Sequence, residues 1–144
     1  MTNSLVQGQD EIMDQIGIEF QGQKVSVFQG EYVPVSETVK VDKAGNFQPY
    51  IVVSFSGLYD GPDKSIVSAK YDTKRAVFQV YTVAQDDRTS QIMRDRVNER
   101  LIGFEPYDGG EISQRSSYNY VDPDSLKHRY VLITSYGYLC NLIM

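Results

Sequence analysis

The sequence predicts one α+β domain: a mixed, mainly antiparallel β-sheet with two helices packed on one face and long loops between elements. Three observations predict it. The 144 residues match the size of a single domain with one hydrophobic core. Several short runs alternate apolar and polar residues, as half-buried strands do. Two other segments space their apolar residues at helical intervals, carry start and stop signals, and divide the strands into groups.

The first element is a short N-terminal helix. Ser4 with Gln7 has the form of a capping box, and Leu5, Ile12, Met13 and Ile16 recur at near-helical spacing until Gly17. Residues 24–28, KVSVF, then read as a strand with Val25 and Val27 on one face. PYIVVSFS repeats the pattern with Ile51, Val53 and Phe55 facing one way. Between these runs, residues 29–48 hold Pro34, Gly45 and Asn46 and read as a long loop. After Gly57 a turn at Asp60-Gly61-Pro62 is expected to open a hairpin. Its two extended runs join around Asp72 and Thr73, and its second strand spans residues 75–83. The second helix follows, then a turn at Asp108-Gly109-Gly110 into a short strand. A last strand, HRYVLITSYGY, sets Tyr130, Leu132, Thr134 and Tyr136 on one face and Val131, Ile133 and Ser135 on the other. The expected order is helix, three or four strands, helix, two strands.

Composition narrows the function. Fourteen basic and nineteen acidic residues give a net charge of −5, which argues against a protein built to neutralise phosphates. Cys140 is the only cysteine, so an internal disulfide and a cysteine-rich metal site are both excluded, and its apolar surroundings predict a buried inert thiol. No basic start with an apolar core opens the chain, and no run approaches the roughly 18 apolar residues of a membrane span. A soluble, cytoplasmic, reduced chain with no membrane contact is expected. Eleven tyrosines and no tryptophan are a mild interaction signal, although tyrosine also suits strands.

The sequence offers little chemistry. His128 is the sole histidine, flanked by Lys127 and Arg129, and no nucleophile elbow accompanies it. Neither a G-x-G-x-x-G nor a phosphate-loop pattern occurs. Asp122 and Asp124 flank Pro123 without the rest of a calcium loop and read as a turn. These observations lead to the expectation of no enzyme, no cofactor and no metal.

The charged segment AQDDRTSQIMRDRVNERLIGFEP reads as the second helix. Asp86 or Asp87 can cap its start, and Gly103 with Pro106 supplies the stop. At about 100° per residue, Ser90, Met93, Val97, Leu101 and Phe104 form one stripe suited to the sheet. Arg94 and Arg100 flank that stripe on opposite sides. Asp95 and Glu99 stand four apart on the outer face, Arg96 and Arg100 form a neighbouring basic row, and Ile92 falls between the rows. Four acids and four bases make the helix neutral, unlike a duplex-binding helix. The outer face is thus either a solvated surface or a subunit contact in which one copy's acidic row meets the next one's basic row. On the second reading, reversing Arg96 and Arg100 weakens assembly and barely affects folding, whereas Val97→Asp damages the fold.

The segment from Ser65 to Tyr138 resembles the tail terminator proteins of long-tailed bacteriophages. What carries the resemblance is an order of features. A basic-plus-Asp turn at Lys70 and Asp72 precedes a strand; a polar lead enters a helix ending RVNERLIGFEP; a glycine-rich turn opens a short strand; an aromatic strand closes the domain. The motif L-x-G-F-x-P falls on Leu101, Gly103, Phe104 and Pro106.

The resemblance implies a non-catalytic virion protein, assembled in the host cytoplasm. It implies a homo-oligomeric ring, usually of six, on the head-proximal end of the tail tube. There it stops tube polymerisation and meets the head-tail connector proteins. The partners implied are other copies of the chain, the tail tube protein and the connector, with no specific nucleic-acid recognition. Ile92, Asp95, Arg96, Glu99 and Arg100, with Lys64 and Lys70 ahead of the strand, are the expected subunit or tube contacts. The alternative is another neck or tail-completion protein, or a small monomeric protein-binding module.

Overall fold

The computed structural model describes residues 4–20, 22–30, 48–60, 71–122 and 129–143. Two helices, α1 (Ser4–Gln15) and α2 (Asp87–Leu101), accompany seven strands: β1 (Glu19–Phe20), β2 (Gln23–Lys24), β3 (Ser26–Gln29), β4 (Tyr50–Asp60), β5 (Tyr71–Ala84), β6 (Ser113–Asp122) and β7 (Arg129–Ile143). Five of them form one sheet in the order β3-β4-β5-β7-β6, and β1 and β2 form a separate two-stranded hairpin. β3 runs parallel to β4 and every other neighbour is antiparallel, so the fold is the expected mixed α+β domain.

Helix packing follows from the two apolar stripes. Ile12 of α1, Ile16 just after it, and Met93, Val97 and Leu101 of α2 are fully buried. They share one core with Ile51, Val53, Phe78, Val80 and Tyr136 of the sheet, so both helices lie on the same face. Phe78 stands at its centre. Its ring stacks on Tyr136 with centroids 5.4 Å apart and meets Phe55 at 5.6 Å and Tyr138 at 6.4 Å. Cross-strand register explains the row, since Phe55 pairs with Phe78 and Phe78 with Tyr136. Several tyrosines are therefore core residues of the sheet.

The opposite face is buried as well. Tyr50, Val52, Val83, Val131 and Ile133 form a second cluster, with Phe28 edge-on to Tyr50 at 6.1 Å. A strand covered on both sides needs consecutive apolar residues, which is why Tyr50 to Val53 run without a polar break. The two faces expected for the last strand hold: Val131 and Ile133 belong to this cluster and Tyr136 to the helix-side core.

Three expectations need correction. Residues 24–28 are not one strand. Lys24 ends β2, whereas Val25 is a buried hinge whose N–H donates to the Ile18 carbonyl at 3.0 Å before β3 begins. Val25 and Val27 do both pack on the helix-side core. Asp72 and Thr73 do not sit in a turn. They lie inside β5, paired with Leu142 and Asn141 of β7, so the hairpin is β4 to β5 and its connection spans residues 61–70, outside the described residues. The ladder with β7, which runs from Tyr71 to Ala84, outweighs the local turn preference of an aspartate. The strand after Gly110 is ten residues long rather than short, because β7 extends to Ile143 and offers it a partner.

The Ser4 side chain of the capping box lies outside the description, as do Lys64, Lys70, Lys127, His128 and Asp124; of the loop expected at residues 29–48, Gln29 belongs to β3 and residues 31–47 lie outside the described residues.

Candidate subunit-contact surface

Helix α2 is delimited by its own side chains. Asp86 accepts the Thr89 N–H at 2.7 Å and the Thr89 hydroxyl at 2.9 Å, and Asp87 adds a carboxylate to the first turn. At the other end Gly103 adopts φ +86°, and its N–H donates to the Ile112 carbonyl at 2.9 Å. The Ile112 N–H in turn reaches the Phe104 carbonyl at 2.9 Å. The L-x-G-F-x-P motif is therefore a helix stop locked to the approach of β6.

Buried polar groups fix the helix on the sheet. The Ser90 hydroxyl donates to the Tyr130 carbonyl at 2.7 Å and shares its proton with that of Thr82 at 3.1 Å. The Tyr136 hydroxyl donates to Asn98 Oδ1, and Asn98 Nδ2 donates to Gln114 Oε1 at 3.0 Å. Burial holds the Tyr136 phenol well above its ordinary pKa, with nearby Arg94 opposing the shift. Arg94 also donates to the Ser117 hydroxyl at 3.3 Å, so Arg94 and Asn98 bind α2 to β6 on one flank.

The other flank carries a tie that the helical wheel does not reveal. The Arg96 guanidinium donates to the Glu19 carbonyl and lies 5.5 Å over the Phe20 ring. The Gln15 amide donates to the Arg100 carbonyl at 2.9 Å, joining the end of α1 to the same side. Arg96 therefore holds the β1–β2 hairpin onto α2. Sequence reasoning missed this because the hairpin was not foreseen, although Gly22 between Phe20 and Gln23 is a turn signal of the right length.

The expected contact residues thus divide. Asp95 is 66% exposed and pairs with its neighbour Arg94, Nε to Oδ1 at 2.9 Å, not with the basic row. Glu99 is exposed, Ile92 is half-buried, and Arg100 presents its side chain to the exterior while its carbonyl is used. Arg96 is exposed but engaged, and Lys64 and Lys70 lie outside the described residues.

A second feature lies beyond the hairpin. Met13, Val25 and Val27, with Asp14, Gly17, Lys24 and Ser26, line an open cleft of 310 Å³ between the end of α1 and the β3 edge of the sheet. Among the described residues, no group of three or more His, Cys, Asp or Glu side chains is placed to hold a metal ion. No helix among them is long and apolar enough to cross a membrane. Cys140 is buried, and burial pushes its thiol up from the usual range. No family model and no curated protein matches the chain.

Proposed function

We propose that this chain is a structural assembly protein of a bacteriophage tail. In this reading it forms a ring at the head-proximal end of the tail tube, ends tube polymerisation and joins the tail to the head connector. The observation that carries the reading is the order of elements from β5 onward. The sequence from Ser65 to Tyr138 resembles tail terminators in its order of strand, helix ending in L-x-G-F-x-P, glycine-rich turn, strand and aromatic strand. That order is kept, while Asp72 lies inside β5 rather than in a turn before it and the strand after the glycine turn is ten residues long rather than short.

Two physical features support it. The sheet has different strands at its two edges, β3 and β6, so the two sides of a copy offer different surfaces, as a head-to-tail ring requires. The outer face of α2 carries Asp95 and Glu99 in the open, suited to electrostatic rather than apolar contact. No catalytic residues and no cofactor enter this proposal.

The test is assembly. The purified chain is expected to form closed rings by light scattering and negative-stain imaging, or to bind the ends of purified tail tubes. A chain that stays monomeric at high concentration and does not bind tubes refutes the proposal and leaves the small protein-binding module in its place.

A further inference from the structure

The face of the sheet opposite the helices carries two arginines, Arg75 and Arg115. Ala76, Phe78 and Val80 of β5 point into the helix-side core, so alternation turns Arg75 to the opposite face. Tyr136 and Tyr138 of β7 also point to the helices, so Gly137 between them opens on that opposite face. A Cβ at Gly137 would lie 3.1 Å from Arg115 Cδ, and the aliphatic stem of Arg115 therefore crosses this face over Gly137. Arg115 stands in the bulge where β6 shifts register against β7, between Gln114 and Ser116. Arg75 pairs with Leu139, two residues from Gly137, so the two arginines flank one stretch of β7. Arg115 is exposed and Arg75 half-buried, and neither has an ion-pair partner among the described residues.

The acidic side chains lie elsewhere. Those described belong to α1, β1, α2 with its cap, and residues 102–112, which join α2 to β6. This connection carries exposed Glu105, Asp108 and Glu111 and no base. It also exposes Ile102 and Tyr107, at 49% and 50%. Besides the Gly103, Phe104 and Ile112 bonds, the Gly109 N–H donates to the Pro106 carbonyl at 2.9 Å and the Gly110 N–H to the Leu139 carbonyl at 2.7 Å. Pro106 and Ile112 are buried, so the connection is anchored from beneath while Tyr107 projects from it. An aromatic side chain held on an ordered turn has little conformational freedom left to lose on binding, which suits it to an interface.

Among the described residues no ion pair joins these two patches within one copy. The connection lies on the helix side, where Gly109 sits against the Tyr138 ring, and the sheet stands between it and the arginine face. We propose that the acidic α2–β6 connection of one copy docks on the Arg75–Arg115 face of the next, its carboxylates against the two guanidinium groups and Tyr107 over the half-buried Leu139 between them. A guanidinium presents a planar fork of donors that matches a carboxylate, and opposite charge on the two patches selects their pairing over either patch with itself. The patches lie on opposite sides of the sheet, so the contact runs head to tail, as a ring requires. Its occupant, a second copy, rests on the assembly reading above.

The test reverses each patch in the full chain. Arg75→Glu with Arg115→Glu makes both patches acidic, and Glu105→Lys with Glu111→Lys makes both basic. Each double variant, checked for native circular dichroism, is expected to assemble at least tenfold more weakly than wild type, in solution or on tube ends. An equimolar mixture of the two is expected to recover assembly, because each patch then meets its opposite on an alternating neighbour. If the change at half-buried Arg75 disturbs the fold, Arg115→Glu alone takes the place of that pair. A reversed chain that assembles like wild type, or two folded variants that fail alone and do not recover on mixing, overturns this contact, and wild-type rings then leave the assembly reading intact. A wild-type chain that neither assembles nor binds tubes overturns both.

Discussion

Replacing Arg96 by alanine removes two interactions that tie α2 to the β1–β2 hairpin, and the cost is expected to fall on stability. The guanidinium hydrogen bond to the Glu19 carbonyl is charge-assisted but solvent-accessible, worth on the order of 1 kcal/mol after screening. Its position over the Phe20 ring adds roughly 0.5 kcal/mol at an exposed site. Together they predict a loss of about 1.5 kcal/mol, which at a urea slope of about 2 kcal/mol/M lowers the unfolding midpoint by about 0.75 M. Arg100→Ala is the control, because the bond from Gln15 goes to the Arg100 main-chain carbonyl and survives the substitution. Chemical denaturation followed by circular dichroism measures both variants. Amide exchange of Val25, whose N–H is held by the Ile18 carbonyl, reports whether the hairpin loosens first. If Arg96→Ala unfolds within about 0.3 kcal/mol of Arg100→Ala, the arginine is a surface group and the tie has no energetic weight. Reversing Arg100 is thus expected to leave stability within about 1 kcal/mol, whereas reversing Arg96 also removes its tie to the hairpin.

Other perturbations test the core and the turns. Val97→Asp places a carboxylate where the native side chain has no exposure, and a loss of at least about 3 kcal/mol is expected in the same denaturation assay; a smaller loss would mean that the helix does not pack as described. Gly103→Ala and Gly109→Ala should differ in mechanism. The first meets no atom within 4 Å and carries only the strain of φ +86°, about 1 kcal/mol. The second puts a Cβ 2.8 Å from the Tyr138 ring and is expected to cost more; equal melting temperatures would contradict this. Tyr138 has its phenol pushed up from 10.0 to about 12, chiefly by burial and then by Cys140 and Glu11. The unfolded chain therefore releases this proton at lower pH than the folded one. The contribution of Tyr138 to stability is full below pH 10 and is lost as pH rises through about 12. Tyr138→Phe should flatten that decline in pH-dependent denaturation, and an unchanged slope would remove the assignment.

What could be read from the sequence was local. Asp86, the stripe from Ser90 to Leu101 and Gly103 define α2 because cap, period and stop all lie within the segment itself. The alternation of Tyr130 to Tyr136 likewise located β7 and its two faces. The β1–β2 hairpin left almost no trace, since two-residue strands are too short to alternate and the spacing of Val25 and Val27 runs across the break. Asp72 and Thr73 look like a turn until β7 is placed beside them. The site divides in the same way. A wheel could place Asp95, Glu99 and Arg100 on the exterior, but the partner of Arg96 is 77 residues distant in the chain. Tyr107 was not singled out because its exposure depends on Pro106 and Ile112 turning inward beside it.

The two flanks of α2 determine what its outer face can do. Arg94 and Asn98 are engaged with β6 and Arg96 with β1, so three polar residues of the helix serve the fold. Asp95 and Glu99 remain facing outward, and the chain continues past Leu101 with Glu105, Asp108 and Glu111 exposed. From Glu99 to Glu111 the surface has four acids against Arg100 as the single base. A contact between the acidic row of one helix and the basic row of another is weakened by this, because half of the basic row is committed within its own copy. A contact extending from the end of α2 through the Tyr107 turn is strengthened, because the free carboxylates and the two exposed apolar side chains occur together there. An acidic surface of this kind does not pair with itself, since like charges brought together repel. Within the proposed assembly it favours a differently charged surface on the partner over a two-fold contact in which the same patch meets its own copy.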